Sequence, residues 1–219
     1  MPYEKTIVCL AGSWRKGGRC FAGRTYENGV LGEWIRPVGA KDNHEIKSHQ
    51  IRKDNGEPTA VLDIVSITFD TPDPCKHQTE NHRISKAERW RHVGRINYEK
   101  LLESCDWRVR GIWEHEDGAA DCLPAYVASR FDYSLLLRKV ADLEIDVSYR
   151  WGKKRQRASF CYEGQQYNLV VTDPWIESRY NSIGSYSIGE AILCISLAEP
   201  YKDGQCYKLV ASIIVPERN

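Results

Sequence analysis

The sequence lacks the features that mark several common classes of protein. No apolar run approaches the ~20 residues of a membrane-spanning helix, and residues 1–5 do not begin a charged and then apolar secretory leader. Also missing are a Cys-x-x-Cys pair, a Gly-x-Ser-x-Gly elbow, a His-Glu-x-x-His helix and a Gly-x-x-x-x-Gly-Lys-Ser/Thr loop. These absences argue against a membrane protein, a zinc ribbon, nucleophilic or zinc-peptidase catalysis and a P-loop enzyme. We therefore expect a cytoplasmic protein that is not an enzyme and uses no cofactor.

An excess of one charge is also missing, because 31 Lys and Arg face 30 Asp and Glu, which leaves a net charge of +1. This balance excludes a protein that binds polyanions through a global field, so any affinity for nucleic acid has to be local. With 42% hydrophobic and 28% charged residues, 7 Trp and 12 Tyr, the composition is that of a folded protein. The 219 residues suffice for one large β domain or for two small domains.

The eight cysteines stand singly, and most of them alternate with apolar residues, as in Val8-Cys9-Leu10. This pattern is typical of small buried side chains in a reducing compartment. Two cysteine-bearing stretches resemble each other, since an apolar run, a Lys-x-Gly turn and a Cys-aromatic pair occur over 7–21 and again over 192–207. The likeness either marks two related halves or is the chance similarity of apolar hairpins.

Alternation of apolar and polar residues predicts a mainly β fold. Between 141 and 151, apolar side chains alternate with Asp142, Glu144, Asp146, Ser148 and Arg150, which indicates a strand with one buried and one wet face. A hairpin is expected over 158–171, and the turn at 172–174 ends it because proline cannot continue a central strand. Further strands are expected at 6–10, 20–26, 33–38, 60–69, 191–197 and 207–215. Short strands at this spacing are typical of a barrel or a sandwich.

One helical insert, over about residues 73–117, is expected to interrupt the first half. Ser85-x-x-Glu88 fits a capping box, and the residues after Asn97 indicate a second helical stretch that ends near Cys105. Around 120–129 the chain is small and polar, with a proline at position 124. We therefore place a domain boundary there, with a first domain over 1–125 and a second over 126–219.

The densest polar cluster is Cys75-Lys76-His77-Gln78-Thr79-Glu80-Asn81-His82. A zinc site here would need Cys75, His77 and His82 with a fourth ligand such as His92, and the spacing matches no common zinc template. Gln78, Glu80 and Asn81 are planar hydrogen-bonding side chains of the kind that read the edge of a base, and His77 stands beside them. The alternative is a polar loop that only caps the insert and meets water.

Trp34 and Arg36 end a predicted strand, since Pro37 forces the chain to leave the sheet. Together they could stack a base and hold a phosphate, which are the two elements of single-strand binding. The alternative interpretation places Trp34 in the core and pairs Arg36 with a carboxylate.

A second basic stretch, Arg150-Trp151-Gly152-Lys153-Lys154-Arg155-Gln156-Arg157, holds five cations in eight residues. The strand pattern places it in a hairpin loop, where Lys and Arg would neutralise phosphates and make binding depend on salt. The same loop could equally be a solvated turn. The candidate binding residues of this stretch are Trp151, Lys153, Lys154, Arg155 and Arg157.

Four parts of the chain resemble a bacterial family with dual OB-fold domains: Ile7-Val8-Cys9-Leu10-Ala11 with Gly18-Arg19-Cys20-Phe21-Ala22-Gly23, Glu33-Trp34-Ile35-Arg36-Pro37-Val38, His77-Gln78-Thr79-Glu80-Asn81, and Tyr167-Asn168-Leu169-Val170-Val171-Thr172-Asp173-Pro174 with Cys206-Tyr207-Lys208-Leu209-Val210-Ala211. The resemblance implies two OB-like barrels in tandem, with the helical insert in the first, that recognise nucleic acid or nucleotides. On this template the first barrel offers Arg19, Trp34 and Arg36, and the insert lays residues 77–81 over the same face. The second barrel contributes Trp151 and the loop at 153–157.

The leading hypothesis is a nucleic-acid-binding module for single-stranded or locally opened DNA or RNA, acting as the recognition part of a larger bacterial system that includes protein partners. An alternative keeps the barrels and makes the ligand a small nucleotide signal, which the near-zero net charge favours. Less favoured are a metal-dependent phosphoesterase that uses His77, Glu80 and His82, and a scaffold for protein partners.

Overall fold

The computed structural model describes residues 1–15, 18–39, 46, 51–85, 89–104, 111–113, 120–150 and 152–218. The chain divides into two compact units, the first comprising Met1–Cys105 and Pro216–Asn219 and the second Asp106–Val215. Each unit is built on one six-stranded sheet, so the expected mainly β fold is confirmed. No helix in the described part of the chain is long and apolar enough to cross a membrane.

The first unit contains the strands β1 (Tyr3–Arg15), β2 (Gly18–Glu27), β3 (Val30–Val38), β4 (Asp63–Pro72), β5 (Asn81–Ile84) and β6 (Arg91–Arg95), and the helix α1 (Tyr98–Ser104). Five strands close into a barrel in the order β1-β2-β3-β5-β4, because β1 also pairs antiparallel with β4. β3 and β5 run parallel, and β6 extends the sheet beyond β4. The barrel core consists of Ile7, Cys9, Phe21, Ile35, Ile46, Ile51, Val65, Ile67, Phe69, Ile84 and Trp90.

Local sequence explains two features of the first barrel. Asn28 and Gly29 have φ angles of 52° and 81° and join β2 to β3 as a two-residue turn, and Asn-Gly is the dipeptide that adopts such turns most readily. Gly23 of β2 lies so close to β1 that an added Cβ would stand 2.1 Å from the Val8 carbonyl oxygen. Only glycine permits that approach without a shift of the backbone.

The second unit contains β7 (Cys122–Pro124), α2 (Ala125–Ala128), β8 (Leu135–Arg150), β9 (Lys153–Tyr162), β10 (Gln165–Val171), α3 (Pro174–Arg179), β11 (Gly184–Leu197) and β12 (Gln205–Ile214). The order β8-β9-β10-β12-β11 closes on itself, because β10 pairs parallel with β12 and β11 pairs with β8. Leu143, Ile145 and Val147 of β8 are buried while Glu144 and Asp146 face outward, as the alternation predicted.

The two barrels share one strand order. β1, β2, β3, β4 and β5 of the first unit correspond to β8, β9, β10, β11 and β12 of the second, including the parallel pair. The second and third strands are joined in each by a two-residue turn of positive φ, Asn28-Gly29 and Glu163-Gly164. The two similar cysteine stretches form β1–β2 and β11–β12, which are different positions in the barrel. Their likeness is therefore that of two apolar hairpins, whereas the structural repeat lies in the strand order.

Asp173 joins β10, α3 and β12. Its fully buried carboxylate caps α3 by accepting a hydrogen bond from the Trp175 N–H at 3.0 Å, and Pro174 takes the first helical position. The other carboxylate oxygen accepts from the Ile213 N–H of β12 at 2.9 Å. The predicted end of the hairpin at 172–174 is confirmed, and the helix that follows it was not expected.

The helical insert over 73–117 is not confirmed. Among the described residues of this range, β5 and β6 are strands and only α1 is helical. β5 pairs with β3 on one side and with β4 on the other, so tertiary pairing decides its conformation. α1 begins after Asn97 as predicted, and the Asn97 side chain accepts a hydrogen bond from the Lys100 N–H at 2.8 Å. The predicted capping box ends on residues 86–88, which lie outside the described residues.

The small, polar segment at 120–129, which was expected to separate the domains, contributes β7 and α2 to the second unit. β7 pairs antiparallel with β12 through Leu123 and Cys206, and both side chains are fully buried in the core of that unit. Burial of these apolar side chains ties the segment to the second barrel.

Candidate nucleic-acid interface

Arg36 and Glu80 form a mostly buried ion pair in the first unit. Arg36 Nη2 lies 2.9 Å from Glu80 Oε1, and the two side chains are 14% and 5% exposed. The Arg36 N–H also donates to the Glu80 carbonyl at 2.7 Å, and the parallel register of β3 and β5 places Arg36 opposite Asn81. The structure thus brings Arg36 and the 77–81 cluster together, and Arg36 pairs with a carboxylate as the alternative interpretation had it.

The side chains of the 77–81 cluster are buried rather than presented to solvent. His77, Gln78, Glu80 and Asn81 are 1%, 4%, 7% and 0% exposed, in contrast to a loop that meets water. Reciprocal backbone hydrogen bonds between Cys75 and Gln78 form the tight turn that carries His77 inward. The carboxamide of Asn81 has no hydrogen-bond partner among the described residues, which costs about 1–3 kcal/mol for a buried polar group.

His82, the third residue of the possible zinc set, makes a protein contact instead. Its Nδ1 shares a hydrogen bond with the Tyr3 hydroxyl, and its ring packs on Phe69 at 5.5 Å between centroids. Burial first, and the nearby Lys5 second, lower the pKa of His82. Within the described residues no group of three or more His, Cys, Asp or Glu side chains could hold a metal ion.

Trp34 and Arg19 occupy separate parts of the first barrel. Trp34 is half-buried on the outward side of β3, opposite Arg24 of β2, whose Nε donates to the Gly32 carbonyl at 2.6 Å. Arg19 lies five residues before Arg24 on β2, about 16 Å away at the strand rise of ~3.3 Å per residue. Trp34 and Arg36 therefore share one neighbourhood, and Arg19 lies at the other end of its strand.

The basic stretch of the second unit forms strands where a loop was expected. β8 runs to Arg150 and β9 begins at Lys153, so Lys153, Lys154, Arg155 and Arg157 all belong to β9. Trp151, the remaining candidate, lies outside the described residues. Gly152 has a φ of 72°, which a turn between two long strands favours.

Three cations gather on the outward side of this hairpin, and we call Arg150, Lys153 and Arg155 the basic face. All three side chains are exposed. Arg150 lies directly opposite Lys153, and Arg155 lies opposite Ser148. None of the three forms an ion pair with another described residue. Like charges placed directly opposite in a sheet are destabilising.

Two large apolar side chains are exposed at the same end of the barrel. Tyr149 is 64% exposed and pairs across the hairpin with Lys154, whose Nζ donates to the Asn181 carbonyl. Ile183 is 62% exposed, and its neighbour Gly184 pairs with Val147 two residues before Tyr149. Tyr149 and Lys154 lie on the side of the hairpin opposite the basic face, because successive side chains of a strand alternate. Aromatic rings and exposed cations at one hairpin end are the elements with which proteins stack single-stranded bases and neutralise their phosphates.

A cavity of about 360 Å³ opens further along the same outward side, lined by Ala120, Asp121, Arg157, Ser159, Gln166, Tyr167 and Asn168. Arg157 Nη2 lies 3.2 Å from Asp121 Oδ2, and its Nε donates to the Asn168 side-chain oxygen. The Asn168 amide donates in turn to the Ser159 hydroxyl at 2.6 Å. Of the predicted site residues, Arg157 is the one that lines this cavity.

Sequence reasoning did not find the other polar residues of the cavity. Asp121, Ser159, Gln166 and Asn168 come from three separate segments and form no motif. The available signal was their spacing, since Arg157 and Ser159 on β9 and Gln166 and Asn168 on β10 are each two residues apart and therefore face the same side of the hairpin.

Comparison with known proteins gives one family and some distant structural likenesses. A family model described as "Dual OB-containing domain" matches residues 5–213. Comparison with curated proteins gives no match. Among solved structures, "Crystal structure of the tetrameric p202 HIN2" is similar at 11% identity and a TM-score of 0.30, over 97% of this chain and 93% of that chain. "Molecular basis for abrogation of activation of pro-inflammatory cytokines" is similar at 8% identity and a TM-score of 0.35, with the same coverages of 97% and 93%. At such values neither likeness supports a statement about fold or function.

Proposed function

Because the chain belongs to the family of dual OB-containing domains, we propose that it binds nucleic acid, and that the basic face of the second barrel is the main contact. The observation that carries this proposal is the set of exposed cations on the outward side of β8 and β9, with the exposed ring of Tyr149 on the other side of the same hairpin end. In OB folds the surface of the second and third strands is the one that binds oligonucleotides, and β9 and β10 hold those positions here.

The charge arrangement supports a ligand that is a polyanion. Arg150 and Lys153 repel each other across the hairpin, at a cost of a few tenths of a kcal/mol to about 1 kcal/mol. A phosphate bound between them turns that repulsion into two favourable contacts. Since the net charge of the chain is only +1, the attraction is confined to this face.

The form of nucleic acid is part of the proposal. An exposed tyrosine ring stacks on an unpaired base, which favours single-stranded or locally opened DNA or RNA over intact duplex. In the first unit, half-buried Trp34 and Arg24 lie opposite each other on the corresponding strands and offer a secondary contact. We propose a binding role rather than catalysis, as the recognition part of a larger bacterial system.

Fluorescence anisotropy with short labelled single strands tests the proposal. The variant R150A/K153A/R155A removes the basic face, and K100A/R130A/K202A removes the same charge from exposed residues elsewhere. Loss of three phosphate contacts should make the negative slope of log affinity against log salt shallower by about 2, at roughly 0.7 per contact. The control should keep the slope of the unmodified protein.

Two outcomes contradict this function. One is the absence of binding to any single strand at low salt, and the other is an affinity that does not change with salt. An equal loss of affinity in both triple variants would show that overall charge, and not the basic face, carries the binding.

A small nucleotide is the second candidate ligand, and the cavity beside Arg157 favours it. Its volume of about 360 Å³ lies in the range of sites for small molecules, roughly 300–1,000 Å³. Thermal denaturation against a panel of mononucleotides tests this candidate, because a ligand that binds only the folded state raises the melting temperature. A melting temperature that no nucleotide changes would refute it.

A further inference from the structure

The cavity of the second barrel contains a guanidinium group that is held in place from two sides. Asp121 Oδ2 lies 3.2 Å from Arg157 Nη2, while the side-chain and backbone oxygens of Asn168 accept from Nε and Nη2. Because these contacts use Nε and Nη2, the Nη1 donors remain without a partner among the described residues. The plane of the guanidinium is thus set before a ligand arrives, which reduces the entropy lost on binding.

The local charge disfavours a phosphate in the cavity. Asp121 and Arg157 neutralise each other, and the outward carboxylates Glu144 and Asp146 lie opposite Ser159 and Arg157 on β8. A phosphate would therefore meet at least as much negative as positive charge, so a nucleotide would enter through its base and keep its phosphate outside the cavity. A neutral ligand with hydrogen-bonding edges does not suffer this repulsion.

The cavity offers an apolar contact beside its polar groups. Ala120 lines it, whereas the Tyr167 ring is 3% exposed and stacks on Phe160 in the barrel core, on the inward side of β10. Polar groups occupy the rim, where Asp121 is 37% exposed and Gln166 is exposed. An apolar contact beside a few convergent polar groups is a combination that proteins use to hold an unstacked base.

We propose that this cavity accepts one unstacked nucleobase, and that it prefers guanine. The Watson–Crick edge of guanine carries two adjacent donors, N1–H and the exocyclic amino group, which match the two oxygens of the Asp121 carboxylate. Its O6 acceptor matches the free Arg157 Nη1 donors or the Gln166 amide. Thymine and uracil offer a single donor on this edge and leave the carboxylate poorly satisfied.

The inference rests on the proposed binding of single strands and adds that one base of the bound strand enters the cavity. From Arg155 to Ser159 is about 13 Å at ~3.3 Å per residue, so the basic face and the cavity lie on one strand within reach of a short oligonucleotide. The backbone would run over the basic face while one base turns into the cavity.

Anisotropy titrations of oligothymidylate with and without one central dG test the preference. We expect the dG strand to bind at least about fivefold tighter, the lower end of discrimination by a bidentate base contact. D121N, whose amide replaces one acceptor by a donor, should abolish that difference and keep the salt-dependent binding of oligothymidylate. E144Q removes a carboxylate from the same outward side without touching the cavity and should keep the difference.

A second variant protects the test against misfolding. If Asp121→Asn lowers the melting temperature, Q166A serves in its place, because it changes an exposed rim residue. Q166A should weaken binding of the dG strand and leave binding of oligothymidylate unchanged. Equal affinity of the unmodified protein for both strands, with salt dependence intact, overturns the guanine site and leaves the proposed function standing. No binding of either strand overturns the proposed function itself.

Discussion

Replacing Asp173 by alanine removes a buried carboxylate that connects the end of β10 to α3 and β12 in the second barrel. The carboxylate is fully buried, caps α3 through the Trp175 N–H and accepts from the Ile213 N–H of β12. Loss of an N-cap costs about 0.5–2 kcal/mol. Leaving the Ile213 N–H buried without its acceptor costs about 1–3 kcal/mol more. We therefore expect D173A to lower the free energy of unfolding by about 1.5–5 kcal/mol.

Asparagine at the same position tests the two parts separately. D173N keeps an oxygen for the helix cap, since Asn and Asp cap equally well, but it presents an amide N–H to one of the two backbone donors. D173N should therefore lower the free energy of unfolding by about 1–3 kcal/mol. S178A, on the exposed side of α3, is the control and should change stability by less than about 0.5 kcal/mol.

Urea unfolding followed by circular dichroism measures these differences, with an unchanged denaturant slope as the sign that the unfolded state is unaffected. A D173A protein within about 0.5 kcal/mol of the unmodified one refutes the reasoning. So does a D173N protein as unstable as D173A, because the cap would then contribute nothing.

Two further predictions concern the first barrel. Because burial lowers the pKa of His82, the folded state favours the neutral ring, so stability should fall as the pH drops below ~6.5 and through the lowered pKa. Thermal melts of H82F should lack that part of the decline, whereas the exposed-site variant H92Q should retain it; parallel profiles for all three proteins would contradict the assignment. Gly23→Ala should destabilise by about 3 kcal/mol or more, because its Cβ would stand 2.1 Å from the Val8 oxygen. Gly94→Ala, where the nearest atom is 3.9 Å away, should cost less than about 1 kcal/mol, and an equal loss at both positions in urea melts would disprove the steric explanation.

The long strands were predictable because each carries enough alternation to define its buried side. β8 is the clearest case, and its outward carboxylates Glu144 and Asp146 lie where the alternation put them. β5 is only four residues long and polar, and it is a strand because β3 and β4 flank it. The helix α3 was missed because its start reads first as the end of a hairpin.

The candidate site was predictable in composition and not in placement. Lys153 and Arg155 were expected in a loop, and the hairpin ladder instead continues to Arg150 opposite Lys153, which puts them on a sheet face. Gln78 and Asn81 were expected at the surface, and the fold buries both beside the Arg36–Glu80 pair. A polar side chain carries no signal for its own burial, because burial depends on what packs over it.

The sequence by itself determined that this protein is mainly β, since a period of two residues assigns each side chain of a strand to one face. It also determined that any attraction for a polyanion is local, because the charges nearly cancel. Only the tertiary structure decided which strands are neighbours, and hence that Asp121, Arg157 and Asn168 line one cavity. Strand register and barrel closure arise from pairing between distant residues, so they follow from the assembled barrel and not from any local pattern.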